Sequence, residues 1–191
     1  MKKLLGLILL CALSLNVHSQ ESLTFKGIPI DGDLNTFVEK LKEIGFTQLY
    51  LGDNSAMIEG DFTGKQCKVM INASESTNLV YSVGVIIEEA NNWNTLNRVY
   101  NEYKKLLSTK YGEGKSREYF TYPFDKNSEG MEMTALHSDR CTYATFFELP
   151  QGRIVLAIMD LLNGAVTINY TNKTNEQVAN TEDNAIKSND L

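Results

Sequence analysis

Residues 92–112 carry the longest helical pattern of the sequence, and this pattern limits most strongly what the chain can fold into. Apolar side chains recur there every three or four residues, which is the period of a helix that buries one face. They are Trp93, Leu96, Val99, Tyr100, Tyr103, Leu106, Leu107 and Tyr111. Asn91 or Asn92 is suited to cap the first turn, and Gly112 to close the last one. Such a helix needs an apolar sheet to pack against, and the rest of the chain is expected to supply it.

The aromatic residues of this helix allow two interpretations. Trp93, Tyr100 and Tyr103 form a platform for a ligand, or they pack in the core with the tyrosine hydroxyls at its rim. Because they share one stripe with Leu96 and Leu107, core packing is favoured.

A shorter helix is predicted between Asp33, which is suited to cap it, and Gly45, which stops it. Its apolar face consists of Leu34, Phe37, Val38, Leu41 and Ile44.

Asp31, Asp33 and Asn35 resemble the start of a calcium-binding loop. Thr36 and Lys42 occupy the positions at which such a loop has glycine and glutamate, so capping is the better explanation of Asp33.

Eight further segments alternate apolar and polar residues, as antiparallel strands with one buried face do. Four follow each helix, at 47–51, 56–62, 67–71, 81–87, 119–124, 143–149, 154–158 and 166–170. We therefore predict an α+β domain over residues 20–171. It consists of two tandem repeats, about 31–89 and 90–171, of one helix plus an antiparallel sheet of about four strands. Residues 172–191 are polar without an apolar period, and a disordered tail is predicted there.

The first nineteen residues resemble a signal peptide. Lys2 and Lys3 precede an apolar run at residues 4–15 that is too short to span a bilayer, and cleavage is expected between Ser19 and Gln20. The protein is therefore expected to be exported, to the periplasm or out of the cell.

Cys11 raises the alternative of a lipoprotein. A lipidated cysteine normally follows a small residue, and Leu10 precedes this one, so the pattern disfavours lipidation.

The charge of the chain argues against two classes of partner. Loss of residues 1–19 removes Lys2 and Lys3 and no acidic residue, so the formal charge goes from −6 to −8. A chain this acidic, without a basic cluster, is not expected to bind nucleic acid or an anionic membrane surface. No segment after residue 19 is long and apolar enough to form a transmembrane helix.

Cys67 and Cys141 are the two cysteines left after cleavage. In an oxidising compartment an even pair favours a disulfide, whereas buried free thiols are common in strands. The sequence leaves both possibilities open.

Motifs for catalysis, metals and cofactors are missing from the sequence. His137 is the one histidine after residue 19, the two cysteines form no CxxC pair, and neither GxSxG nor HExxH occurs. No metal and no cofactor is therefore expected. His137, with Ser138 beside it and Asp139 nearby in the polar loop 125–140, leaves a hydrolase as an alternative.

The segment from Tyr119 to Phe124 is the one hint of a recognition surface. Alternation sends Phe120, Tyr122 and Phe124 inwards and leaves Tyr119 outward, while Pro123 confines the segment to a sheet edge or a strand end. An aromatic edge beside a long loop can bind a partner, and we name Tyr119, Tyr122 and Phe124 as candidate binding residues. An ordinary core strand is the competing interpretation.

Three stretches carry a resemblance to known proteins: GIPIDGDLNTFVEKLKEIGF at 27–46, WNTLNRVYNEYKKLLSTKYG at 93–112 and VTINYTNK at 166–173. They resemble small exported proteins of unknown function from Gram-negative gut bacteria. The order of elements is also similar to the tandem helix-plus-sheet fold of the beta-lactamase inhibitor protein and of related outer-membrane assembly lipoproteins. The resemblance implies a fold and no binding residue.

From these observations we expect a non-enzymatic binding or interaction protein, secreted or periplasmic, whose partner is a protein or a glycan. The alternatives are a hydrolase with its active site near His137 and a structural protein of the cell envelope.

Overall fold

The computed structural model describes residues 22–125 and 130–189. The predicted signal peptide, residues 1–19, lies outside them. The described residues form four helices: α1 Leu34–Glu43, α2 Trp93–Tyr111, α3 Glu132–His137 and α4 Lys173–Asn189. They also form ten strands: β1 Thr24–Phe25, β2 Ile28–Pro29, β3 Thr47–Leu51, β4 Ser55–Phe62, β5 Lys65–Ala73, β6 Val80–Glu89, β7 Lys115–Phe120, β8 Cys141–Leu149, β9 Gly152–Met159 and β10 Ala165–Asn172.

The two amphipathic helices begin where the sequence predicts. The Asp33 carboxylate accepts a hydrogen bond from the Thr36 backbone N–H at 3.1 Å and caps α1. The Asn92 side chain accepts one from the Thr95 N–H at 2.9 Å and caps α2. Gly112 follows α2 at a φ of 84°, a conformation that favours glycine. The predicted caps are thus confirmed.

The core lies between these helices and one face of the main sheet, which we call the helix face. One row of side chains crosses six strands on this face, and every member is buried. The row runs through Ile58, Val69, Val85, Ile168, Leu156 and Thr145. The apolar stripes of α1 and α2 pack on the same face, with Leu34, Phe37, Leu96 and Tyr100 among the fully buried residues. The core interpretation of the α2 aromatics is confirmed for Tyr100 and Tyr103.

The prediction of two tandem repeats, each with its own sheet, is wrong. The fold is α+β, but strands β3 to β10 form one antiparallel sheet in the order β3-β4-β5-β6-β10-β9-β8-β7, and β1 and β2 form a separate hairpin. β6 and β10 pair directly, from Glu89 opposite Ala165 to Ser82 opposite Thr171, and this pairing joins what was expected to be two sheets. Alternation along a strand shows which side is buried, but it does not show which strand lies beside it.

A disulfide between Cys67 and Cys141 is ruled out by the sheet order. Cys67 lies in β5 and Cys141 in β8, and three strands separate them. Four strand spacings amount to roughly 19 Å, whereas a disulfide needs Cα atoms within about 7 Å. Both thiols are free, and burial raises the pKa of Cys141 to about 12.

The predicted disordered tail is also wrong, because residues 173–189 form helix α4. Asn172 caps it: its side-chain oxygen accepts from the N–H groups of Thr174 at 3.0 Å and Asn175 at 3.2 Å. Polar contacts hold this helix to the domain. The segment therefore has no apolar period from which a helix could have been predicted.

Two boundaries near the second half of the sheet differ from the sequence analysis. The strand expected at 119–124 is β7, which ends at Phe120, and the loop expected at 125–140 contains α3. Tyr122 is therefore beyond the strand and points outward, with 88% of its surface exposed.

Candidate functional site

The face of the main sheet opposite the helices, which we call the open face, is the broadest candidate surface. Its central row contains Met57, Met70, Gly84, Asn169, Val155 and Phe146 at one register across six strands. The neighbouring row contains Glu59, Lys68, Ile86, Thr167, Ala157, Ala144 and Arg117. Met70 is 46% exposed, and most of the other apolar members of these rows are half-buried by their sheet neighbours. The centre of the face therefore presents apolar surface to solvent.

Helix α4 covers one end of the open face. Arg153, which lies on the same face as Val155, donates from Nη2 to Glu176 Oε1 of α4 at 3.1 Å. Thr171 on the same face is buried near this end. Near its middle α4 reaches the β5–β6 loop, where Glu182 Oε1 accepts from the Thr77 hydroxyl at 2.7 Å. Most of the face lies beyond the reach of these contacts.

The β7 side of the open face is basic. Arg117 places its guanidinium 5.6 Å from the centre of the Phe146 ring, and Lys115 lies opposite Phe146 in the register of β7 and β8. Neither Lys115 nor Arg117 forms an ion pair with any other residue in the described ranges, whereas Lys68 on the same face pairs with Glu89 at 3.2 Å. A basic rim thus borders the apolar centre.

The three residues predicted from the sequence as binding residues do not form one cluster. Tyr119 lies in β7 on the side of Lys115 and Arg117 and is 48% exposed, so it belongs to the rim of the open face. Tyr122 and Phe124 follow the strand, and no ring contact joins the three within the described chain. Phe120 instead packs on the helix side, 5.5 Å from the Trp93 ring.

His137 has a carboxylate partner, but not the one expected from the sequence. Its Nδ1 lies 2.7 Å from Asp160 Oδ1, in the turn between β9 and β10, and both side chains are more than 40% exposed. The Ser138 hydroxyl donates to the Thr134 carbonyl oxygen at 2.7 Å. The Ser138 hydroxyl is therefore engaged elsewhere, and among the described residues it makes no hydrogen bond to the imidazole, as a nucleophile would.

Residues 22–125 and 130–189 contain neither a cluster of metal-binding side chains nor a helix suited to span a membrane. No group of three or more His, Cys, Asp or Glu side chains is placed there to hold a metal ion. No helix in these ranges has the length and apolar character needed to span a bilayer. Asp33, the residue that suggested a calcium loop, caps α1 instead.

A polar network joins α2 to the β7 edge of the sheet. Tyr100 Oη donates to Glu118 Oε1 at 2.9 Å and lies 2.6 Å from Thr145 Oγ1, and Lys104 Nζ donates to Glu118 at 2.7 Å. Burial raises the pKa of Tyr100. Burial also opposes ionisation of Glu118, but the hydrogen bonds from Lys104 and Tyr100 outweigh it and lower the pKa of Glu118 below its ordinary value of 4.5. The network serves to anchor α2.

This network is expected to make stability depend on pH below about 5. A carboxyl group whose pKa is lowered by folding stabilises the fold above its ordinary pKa, and that stabilisation is lost as the pH falls through the lower, folded value. Glu118→Gln is expected to lower the free energy of unfolding at pH 7 by about 1 kcal/mol, a value that allows for partial exposure. In urea titrations, the difference in free energy of unfolding between wild type and Glu118→Gln should shrink as the pH falls from about 5 to about 3.

Glu113→Gln is the matched control, because Glu113 is exposed and pairs with no cation within the described residues. If the Glu118 and Glu113 variants follow the same pH dependence, the Glu118 network does not stabilise the fold.

The open face could have been recognised from the strand sequences. β9 contains Ile154, Val155, Leu156, Ala157, Ile158 and Met159 in succession. An antiparallel strand with one face in water alternates apolar and polar residues, whereas a near-continuous apolar run is typical of a strand covered on both faces. The alternation of Ile154, Leu156 and Ile158 alone predicts a strand with one face in water, whereas the full run indicates a strand that is covered on both faces.

Comparisons with protein-family models, with curated proteins and with solved structures gave no match for the chain. The resemblance to the beta-lactamase inhibitor protein therefore stays a prediction.

Proposed function

We propose that the protein is a non-enzymatic binding protein that holds a folded protein partner against the open face of its sheet. The observation that carries this proposal is the apolar centre of that face, above all Met70, Val155 and Phe146, which helices α1 and α2 leave uncovered. Apolar patches of this kind, bordered by charged residues, mark protein-binding sites. The export predicted from residues 1–19 would place the partner in the periplasm or outside the cell.

The size of the open face supports a folded protein as the partner. Eight strands span about 34 Å across the sheet, and strands of eight to ten residues are about 26–33 Å long. With one end covered by α4, an area on the order of 600–800 Å² is left, which matches the roughly 800 Å² that each partner contributes to a stable interface. A small molecule would need a concave site that surrounds it, and this surface is broad.

Charge supports a partner other than a second copy of the chain. The formal net charge is −6, so two copies repel each other. On the open face, however, Lys115 and Arg117 supply a basic rim without acidic partners in the described residues. The partner is expected to present an apolar patch with a carboxylate at the edge that meets this rim.

A photo-crosslinking amino acid in place of Met70 tests the proposal in an extract of cells that produce the protein. Position 70 should crosslink to one defined protein. Ile44, which ends α1 and is 47% exposed, gives the matched control position. The captured protein is then purified, and Met70→Glu should weaken its binding at least about tenfold, while Ile44→Glu should leave binding unchanged.

Equal crosslinking from positions 44 and 70, or full affinity in the Met70→Glu variant, would refute binding at the open face. Self-association that Met70→Glu abolishes in sedimentation experiments would assign the face to a second copy and contradict the heterologous partner.

A further inference from the structure

A separate cavity of about 240 Å³ lies on the helix side of the sheet. The last two turns of α2, the β1–β2 hairpin and the β4–β5 turn enclose it, and we call it the α2 cavity. Its aromatic lining consists of Phe25, Phe62, Tyr103, Tyr111 and Tyr170. An engineered cavity of about 150 Å³ takes up benzene, so this space is large enough for an aromatic ring with a short side chain.

The α2 cavity contains a tyrosine hydroxyl that makes no hydrogen bond to another described residue. Tyr170 is only 5% exposed, and its hydroxyl makes no hydrogen bond to any residue in the described part of the chain. Burial, and then the neighbouring Tyr111 and Tyr103, raise the pKa of Tyr170, so this hydroxyl is a neutral donor. The hydroxyl oxygen is open to the cavity, so water or a bound molecule can accept its hydrogen bond.

A hydrogen bond between two hydroxyl groups fixes one wall of the α2 cavity. The hydroxyl of Thr63, in the turn between β4 and β5, is hydrogen-bonded to the hydroxyl of Tyr103 in α2. Thr63 has a φ of 56°, which is unfavourable for a β-branched side chain. The wall therefore depends on a residue whose backbone conformation is costly, and Tyr103 is held in place from the side of the sheet.

Positive charge lies at the mouth of the α2 cavity. Lys110 Nζ is 5.0 Å from the centre of the Tyr111 ring, and no acidic residue in the described ranges forms an ion pair with it. Lys26 on the opposite side contacts Asp61 only at 3.7 Å. An anion at the mouth would meet one lysine that is free of carboxylates and a second that is loosely engaged.

We propose that the α2 cavity binds a small arylalkanoic acid, with its ring among the aromatic side chains and its carboxylate near Lys110. A hydroxyl group on the far side of the ring would accept a hydrogen bond from the Tyr170 hydroxyl. Apolar walls, one hydroxyl donor in the wall and cationic groups at the entrance are the features that such a ligand requires. The cavity and the open face are on opposite sides of the sheet, so this site is independent of the protein-binding surface.

Calorimetric titration of the full chain with 3-phenylpropionate and with 3-phenylpropionamide tests the proposal. The carboxylate is expected to bind about three- to fivefold more tightly than the amide, the range of a partly exposed ion pair. Lys110→Met should abolish this difference and leave the binding of the amide unchanged. Lys105→Met, at an exposed position of the same helix, is the matched control and should preserve the difference.

Two further variants locate the ligand. Leu106→Trp places a larger side chain at the wall, where Leu106 is 52% exposed and folding is expected to survive, and it should weaken both ligands. Tyr170→Phe should remove any preference for 3-(4-hydroxyphenyl)propionate over 3-phenylpropionate.

If neither compound binds at about 10 mM, the site as a whole is overturned. A dissociation constant of that size corresponds to a binding free energy of only about 2.7 kcal/mol. Equal affinity for carboxylate and amide would overturn the role of Lys110, and undiminished binding in Leu106→Trp would place the ligand elsewhere. Met70→Glu should not change any of these titrations, so failure here is distinguishable from failure at the open face.

Discussion

Leu96→Ala is expected to lower the free energy of unfolding by about 3 kcal/mol, within the 2–5 kcal/mol range for buried leucines. Leu96 is completely buried on the face of α2 that packs against the sheet. A Cβ atom added to Gly164 would lie 2.8 Å from Leu96 Cδ1, so the side chain already fills the space up to the β9–β10 turn. Because its surroundings are tightly packed, they cannot collapse into the gap, and the cavity remains in the folded state.

Leu106→Ala is the matched control for this prediction, since it makes the same chemical change on the same helix at a half-exposed position. It is expected to cost less than about 1 kcal/mol, because little apolar surface returns to water. Urea unfolding followed by circular dichroism measures both variants. Equal losses at positions 96 and 106 would mean that α2 does not pack on the sheet by the face described above.

The parts of the fold that the sequence predicts are those set by local chemistry. The stripe from Trp93 to Tyr111 fixes α2, and Asn92 and Gly112 fix its ends, because capping depends on residues within one turn. Alternation likewise identifies most of the strands and their buried side, although β7 spans Lys115–Phe120 and not the predicted residues 119–124. Each of these patterns can be recognised within about twenty consecutive residues.

Strand order is set by contacts that no local window contains. The pairing of β6 with β10 joins residues about eighty positions apart in the sequence. The residues of neither strand indicate which strand it pairs with. An edge strand and a central strand can show the same alternation. Two sheets of four strands and one sheet of eight are therefore equally compatible with the sequence pattern. The sequence left a Cys67–Cys141 disulfide open for the same reason, since only the strand order shows that the two cysteines are far apart.

The candidate site was missed in sequence because attention to aromatic residues favoured Tyr119, Tyr122 and Phe124. The centre of the open face is mainly aliphatic and sulfur-containing, with Met70 and Val155 beside Phe146, and these residues are indistinguishable by type from core residues. What distinguishes them is that they occupy the second face of strands whose first face is already buried. That information exists only once the helices are known to cover one side.

The polar C-terminal segment shows a different limit. A disordered tail was predicted because residues 172–191 lack an apolar period. That inference is valid for a helix that is held to the domain by apolar burial. α4 is held by hydrogen bonds and ion pairs, with Asn172 and Asn175 buried and Glu182 bonded to Thr77. Asn172 could have indicated a helix start, because asparagine is among the preferred N-cap residues.

Asn175→Ala is expected to lower the free energy of unfolding by about 2–3 kcal/mol, because buried polar groups would lose their partner. The Asn175 side chain donates to the Val80 carbonyl oxygen at 2.8 Å and to Asp31 Oδ1 at 3.0 Å, and it is 5% exposed. Alanine leaves the Val80 oxygen away from water without a donor.

Asn180→Ala separates this effect from helix propensity, since Asn180 is exposed on the same helix and alanine is the better helix former there. That variant should be neutral or slightly stabilising in urea titrations. In Asn175→Ala, limited proteolysis should in addition cut within residues 173–189 before the rest of the chain, because α4 loses its tie to Val80 and Asp31. If both variants unfold at the same urea concentration and resist protease equally, α4 is not held by Asn175, and the polar contacts through Arg153 and Glu182 must suffice to dock it.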